Sequence, residues 1–417
     1  MGKILCTLVV LLTWACTVFY SSTVLAQELK LGAIFPLTGP LAYEGNANFR
    51  GVEVAIEAQN EKGGISGKKL RLVVGDAPDP KAGAGEAERL ISVENIKLIM
   101  GTFSSSISYA ASEVANKYSV PYFETNAISD PLTERGFKYF WRTSTRGSDF
   151  AQMVADFTKG VLAPMLGISP NKLRIAIANE DTLYGTTNTK YLEKILPAVG
   201  LTNIVAKESY SSKSVDLSSL VIKMKARKPD IFMVTSYTAD AMLLVRQAKE
   251  MGFNVKVWQG MGAGYGQPAF AQALGRDSEY ILDVNVPSTF INRKVVPGLD
   301  EFMRRYQKKY GEPYEGILSQ LSYTGAIAVL DIIKRAGSLD VDAIAKAAWG
   351  TDIPSWSTPV GWGVKFNGPG QPHPGQNARA LPYISQWKNK QQQVIWPMEA
   401  RYTDPVLPMP TWKERGN

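Results

Sequence analysis

The chain has 417 residues, more than one simple hydrophobic core serves, so two lobes are expected. Its composition, 45% hydrophobic and 20% charged, is that of an ordinary globular protein. The net charge of +8 comes from Lys and Arg scattered among Asp and Glu, without the long basic run that marks a nucleic-acid surface.

At the N-terminus Lys3 precedes an apolar run over 4–19. Val24 and Ala26 then give the small-residue spacing of a cleavage point between Ala26 and Gln27, so residues 1–26 read as a secretory signal peptide. The run is interrupted by Thr7 and Thr13 and is short for an uncleaved anchor. The bulky Thr13-Trp14-Ala15 argues against lipid attachment at Cys16. Both cysteines, Cys6 and Cys16, lie in this leader. The mature chain then has no thiol for a disulfide, a zinc–thiolate site or a nucleophile, and is expected to be soluble outside the cytoplasm.

From residue 29 the pattern alternates strand, turn and helix. Strands are expected over 29–35, 70–74, 98–100, 121–123 and 137–142, with helices over 46–62, 84–94 and 104–117 between them. The second half repeats the plan, with strands over 173–178, 204–208, 230–235 and 255–259 and helices over 186–196, 217–225 and 239–251. Such alternation predicts an α/β protein with two doubly wound parallel-sheet lobes. Helices over 295–310, 319–336 and 341–349 read as cover for existing sheet. Late strands are expected over 362–366, 381–387 and 393–396.

The stretch 96–106 organises the candidate site. A short apolar strand ends at Gly101, and Ser104-Ser105-Ser106 opens a helix. A helix start carries free N–H groups and partial positive charge, which suit a carboxylate or another oxygen-rich group. A single serine there would only cap its helix. Three of them at the carboxyl end of a strand point to a ligand crevice. Tyr43, Tyr184 and Tyr237 each follow a strand's carboxyl end, on the rim where open α/β sheets hold ligands, and each offers a flat face and a hydroxyl.

Other motifs weigh against catalysis. The only histidine, His373, reads as a surface-loop residue, which removes a His-based triad, a multi-histidine metal site and most general-base schemes. Neither a Gly-x-Ser-x-Gly elbow nor a P-loop is present. The glycine-rich 260–266 has the wrong spacing for a dinucleotide loop and reads as a flexible rim. Asp76, Asp79 and Asp181 are loop acids without calcium-site spacing.

Several segments resemble a known family. They are 31–40 (Leu-Gly-Ala-Ile-Phe-Pro-Leu-Thr-Gly-Pro), 60–67 (Asn-Glu-Lys-Gly-Gly-Ile-Ser-Gly), 76–80 (Asp-Ala-Pro-Asp-Pro), the serine turn, Tyr184-Gly185 and Arg246-Gln247-Ala248. In this order they resemble type I periplasmic solute-binding proteins of the branched-chain amino acid and amide class, which feed ABC importers. The resemblance covers about 28–400. It implies two lobes joined by three crossovers near 143–146, 286–289 and 359–361. Lobe 1 would comprise 27–145 and 288–359, and lobe 2 would comprise 146–287 and 360–417. It also implies that the serine turn at Ser104 holds a ligand carboxylate through main-chain and hydroxyl groups, that Asn126-Ala127-Ile128 completes the grip, and that Tyr184 and Tyr237 line the other lobe; Ser104, Ser105 and Asn126 are the residues expected at the anionic end.

The chain departs from that pattern in three places. A pocket threonine of the relatives falls on Ile128, a glutamate that pairs with the ligand's ammonium falls on Met261, and a first-loop tyrosine falls on Glu44, beside Tyr43. The relatives' disulfide positions fall on Pro78 and Phe103. The expectation is a periplasmic, monomeric, non-enzymatic binding protein without cofactor or metal. It would close on a small polar or carboxylated solute (amino acid-like, amide or aromatic acid) and present it to permease subunits. The alternative is a ligand-sensing subunit of a membrane receptor with the same fold.

Overall fold

A computed structural model describes residues 28–416; the stretch 1–26, expected as a signal peptide, and both cysteines lie outside the described residues. The chain opens with β1 (Leu29–Phe35), α1 (Ala42–Glu61), β2 (Leu70–Asp76), α2 (Pro80–Ser92), β3 (Ile99–Gly101), α3 (Ser105–Lys117), β4 (Tyr122–Glu124), α4 (Pro131–Glu134) and β5 (Phe140–Arg142). These strands form a sheet of order β2-β1-β3-β4-β5, parallel throughout. Then come α5 (Gly147–Phe157), α6 (Ala163–Leu166), β6 (Ile175–Glu180), α7 (Leu183–Ala198), β7 (Ile204–Tyr210), α8 (Ser218–Ala226), β8 (Ile231–Thr235), α9 (Thr238–Glu250), β9 (Val257–Gly260), α10 (Pro268–Leu274) and β10 (Leu282–Asn285). After α11 (Leu299–Tyr310), α12 (Leu318–Ala336) and α13 (Val341–Trp349), the chain ends with β11 (Tyr383–Lys388), β12 (Gln391–Trp396) and α14 (Trp412–Gly416).

The second sheet has the order β12-β11-β10-β9-β8-β6-β7. It is parallel from β10 to β7, but β11 pairs antiparallel with both β10 and β12, so this sheet is mixed rather than purely parallel. The inner strands β3, β4, β6, β8, β9 and β10 are buried at every position, as expected where helices cover both faces. Trp362 to Phe366, expected as a strand, makes only isolated bridges, through Val364 to Ile353 and Phe366 to Asn377.

Local chemistry fixes the joints. Asp79 caps α2 by accepting from the Ala82 N–H at 2.8 Å, ahead of a proline in the first turn. Asp76 accepts from the Leu37 and Thr38 N–H groups at 2.8 and 3.1 Å and from the Thr38 hydroxyl, shaping the loop after β1. The late helices return to the first sheet. α12 lies against α1 so closely that a Cβ on Gly51 would sit 2.0 Å from the Ser319 carbonyl oxygen. The Trp349 ring packs on Trp141 with centroids 5.2 Å apart. Residues 375–377 run beside β5, where the Arg142 N–H donates to Gly375 and the Asn377 N–H to Arg142. Among the described residues no helix is long and apolar enough to cross a membrane.

Candidate functional site

Each parallel strand delivers its carboxyl-end loop to one side of its sheet, and the loops of the two sheets face one another. Between them lies a cavity lined from the first sheet's side by Phe103, Ser105, Asn126, Ile128 and Leu318, and from the second by Phe150, Tyr184, Tyr237, Ala263 and Asn285. Its volume is about 30 Å³, room for a water or two.

Five residues singled out from sequence therefore share one cavity: Ser105, Asn126, Ile128, Tyr184 and Tyr237. Ser104, 4% exposed, is the N-cap of α3, yet its hydroxyl makes no capping bond. The simple capping role does not hold, and Ser104 stands beside the cavity rather than in its lining. Burial raises the Tyr237 pKa and the nearby Glu180 raises it further, while hydrogen bonding to Thr182 and Ser104 opposes them. Tyr184 donates to the Met261 carbonyl at 2.7 Å, and its ring lies 5.4 Å from that of Tyr237, which in turn lies 6.0 Å from Phe103. The Asn126 amide donates to Asn48 Oδ1 at 2.6 Å.

The other candidates stand elsewhere. Ala127 and Met261 are buried in the walls and do not line the cavity. Glu44 is 2% exposed and bridges the two sides: its Oε1 accepts from Thr238 Oγ1 at 2.5 Å and from the Thr238 N–H at 3.4 Å. Burial raises its pKa. Tyr43, 48% exposed, lies outside the cavity in a surface groove with Arg50, Tyr306, Glu312 and Tyr314.

Sequence reasoning missed Phe103, Phe150, Ala263, Asn285 and Leu318 as lining. It also misjudged 260–266. Met261, Gly264, Tyr265 and Gly266 are buried, so this is a packed wall, not a flexible rim. The glycines are there for close approach: a Cβ on Gly262 would sit 2.7 Å from Phe150 and 2.9 Å from the Tyr184 oxygen.

Buried carboxyls brace these loops. Glu124 accepts from the N–H groups of Thr102, Asn126 and Ala127 and from the Ser108 hydroxyl, tying the serine turn to the loop after β4. Glu180 accepts from the N–H groups of Thr182 and Gly185 at 2.6 Å each, setting the turn that carries Tyr184. Asp283 accepts from the Gly262 N–H, Asn285 and Gln392, and Asp240 from the Tyr210 hydroxyl. Burial pushes Glu124, Glu180, Asp240 and Asp283 each up to about 7, against the pull of their hydrogen bonds.

Among the described residues, Asp130, Glu134 and His373 could offer three metal-ligand atoms within 4.8 Å of one another. Asp130 is already engaged by the Ser148 N–H and hydroxyl, and Glu134 by the Tyr191 hydroxyl. His373 is partly buried rather than a free surface residue; burial lowers its pKa, and Arg146 lowers it further. This group is no part of the cavity lining.

With this geometry in view, the comparisons are informative. The family model described as "Periplasmic binding protein" matches residues 28–389. The chain is similar to Leu/Ile/Val-binding protein homolog 7 of Brucella suis, at 38% identity over 384 residues, 92% of this chain and 95% of the relative. Two solved structures share its fold. One is the substrate-binding protein LivJ of Streptococcus pneumoniae with isoleucine, at TM-score 0.76, 22% identity, and 89% and 100% coverage of the two chains. The other is a solute-binding protein of Rhodopseudomonas palustris HaA2 with p-hydroxybenzoic acid, at TM-score 0.76, 18% identity, and 93% and 99% coverage. By its family match and its kinship over nearly its whole length, the chain belongs to the type I periplasmic binding proteins of the branched-chain amino acid family, solute-binding proteins of ABC transporters rather than a family of enzymes.

Proposed function

We propose that this protein captures a small polar or carboxylated solute between two α/β lobes in the periplasm and hands the closed, loaded form to an ABC permease. The lobes are taken as 27–145 with 288–359 and 146–287 with 360–417, with residues 375–377 of the last segment reaching back to bond β5 of the first sheet. The observation that carries the reading is the cavity between the two sets of carboxyl-end loops, with the start of α3 on one side and Tyr184 and Tyr237 on the other. The first turn of α3 has no side-chain cap, so its N–H groups and the Ser104 and Ser105 hydroxyls suit an anionic or oxygen-rich end. The rings across the cleft suit an apolar body. Structures of this fold in complex with isoleucine and with p-hydroxybenzoic acid support a small carboxylated solute. Ligand free energy favours closure, and closure presents the surface a permease reads. The protein acts as a monomer without cofactor or metal.

A thermal-shift screen of the secreted chain against amino acids, amides and aromatic acids, followed by calorimetry, tests this. A hit whose affinity falls in both Ser105→Ala and Tyr184→Ala supports the reading. A confirmed hit whose affinity neither substitution changes overturns it.

A further inference from the structure

The lining of the cavity contains no charged side chain. None of the buried carboxyls nearby is part of that lining: Glu124, Glu180 and Asp283 accept from internal donors on both oxygens, while Glu44 accepts from Thr238 and Asp240 from Tyr210 on one oxygen each. An ammonium group brought into this space would lose its water and meet no carboxylate in the wall, a costly arrangement.

The opposite end of a ligand fares better. Behind the loop 126–129 lies Arg142, fully buried, whose guanidinium donates to neutral oxygens: the carbonyls of Ala127 and Ser129, Gln376 Oε1 and Thr133 Oγ1. Its charge therefore stands behind the loop that shares the cavity with the uncapped start of α3. Asp130 and Glu124, the latter bonded to the same loop, offset part of that charge, so the uncapped helix start is the main feature that favours an anion there.

Apart from Asn285, whose amide is bonded to Asp283 and the Val286 N–H, the rest of the wall is apolar, chiefly Phe103, Phe150, Tyr184, Tyr237, Ile128 and Leu318. The Tyr184 hydroxyl is engaged by the Met261 carbonyl, so that residue offers the cavity its ring. The inclined rings of Tyr184, Tyr237 and Phe103 favour a flat π-system through edge and offset contacts. The cavity of about 30 Å³ is smaller than a ring needs, so the two sides must part to admit one.

Resting on the solute-binding reading, we propose that the ligand is an amine-free arenecarboxylate, its carboxylate at Ser104 and Ser105 and its ring between Phe103, Phe150, Tyr184 and Tyr237. The test is calorimetry of the secreted chain with matched probes. L-leucine is paired with 4-methylpentanoate and L-phenylalanine with 3-phenylpropanoate, each pair differing in the ammonium group; benzoate is paired with cyclohexanecarboxylate, differing in flatness. In each pair the amine-free or flat acid should bind about tenfold tighter or more. An amino acid that binds as well as its amine-free partner, or a saturated ring that matches benzoate, overturns the proposal and leaves solute capture standing. So does a series in which none of these binds while another solute does, with affinity sensitive to Tyr184→Ala. If no solute of any class binds, both readings fall.

Discussion

The hydrogen bond from Thr238 to Glu44 joins the start of α9 to α1 across the cleft, so it exists only while the two sides are together. Thr238→Val removes the donor with little change of shape. The Glu44 carboxyl then stays 2% exposed with one remaining donor, the residue 238 N–H at 3.4 Å. A hydrogen bond to a charged or partly charged group contributes about 1.5–3 kcal/mol. In an open form both groups are hydrated, so the loss falls on closure. Ligand affinity should weaken by about 10- to 150-fold. The ligand-free thermal midpoint should stay within about 2 °C, because neither sheet loses an internal contact. Glu44→Gln keeps an acceptor oxygen and should stay within about threefold of the parent, less than one hydrogen bond's worth. Calorimetry with the ligand from the screen measures both variants, and small-angle scattering should show Thr238→Val more extended without ligand. Parent-like affinity and an unchanged radius of gyration for Thr238→Val would refute the view that this pair latches the cleft.

Other consequences are as direct. Gly185→Ala places a Cβ 2.1 Å from the Glu180 carbonyl oxygen and 2.6 Å from its Oε1; urea unfolding should show a loss of about 2–3 kcal/mol, and an unchanged midpoint would mean the turn is slack. Stability should fall between about pH 4 and pH 7 and then level. Glu124, Glu180, Asp240 and Asp283 keep their protons to about 7 in the fold, whereas the unfolded chain releases them at ordinary values near 4.5 and 3.8. One carboxyl moved from 4.5 to about 7 corresponds to roughly 3 kcal/mol, opposed only in part by the depressed His373. The thermal midpoint should therefore be higher at pH 5.5 than at pH 8 by about 4 °C or more; an equal or higher midpoint at pH 8 would contradict this. Ser105→Ala removes a cavity hydroxyl and should weaken a carboxylate ligand about tenfold while leaving the amide of the same acid nearly unaffected. Calorimetry with the two compounds decides it.

Much of the fold was legible because buried parallel strands announce themselves as short apolar runs. β1 and α13 fall where expected, and α3 begins one residue after Ser104. β10 escaped notice because Asp283 and Asn285 interrupt its apolar character; these polar residues are inside, where they bond to one another and to Gly262 and Gln392. With β10 went Asn285 as a lining residue, and with α5, which the sequence reading did not identify, went Phe150. The serine turn and the two inner tyrosines were readable because strand carboxyl ends must face the crevice in such sheets. Tyr43 met the same description and lies outside, because a position after a strand does not say which way the side chain turns. Met261 is engaged through its carbonyl, and Ala127 through its N–H and carbonyl, roles a residue's identity does not encode.

A crystal structure of the chain with the tightest ligand from the screen decides most directly whether the ligand sits between the start of α3 and the Tyr184–Tyr237 pair. That ligand should lie in the cavity, its oxygens on Ser104 or Ser105 and its body against the two tyrosine rings. A ligand bound instead in the outer groove beside Tyr43 and Tyr306, with the inner cavity unchanged, would contradict this placement.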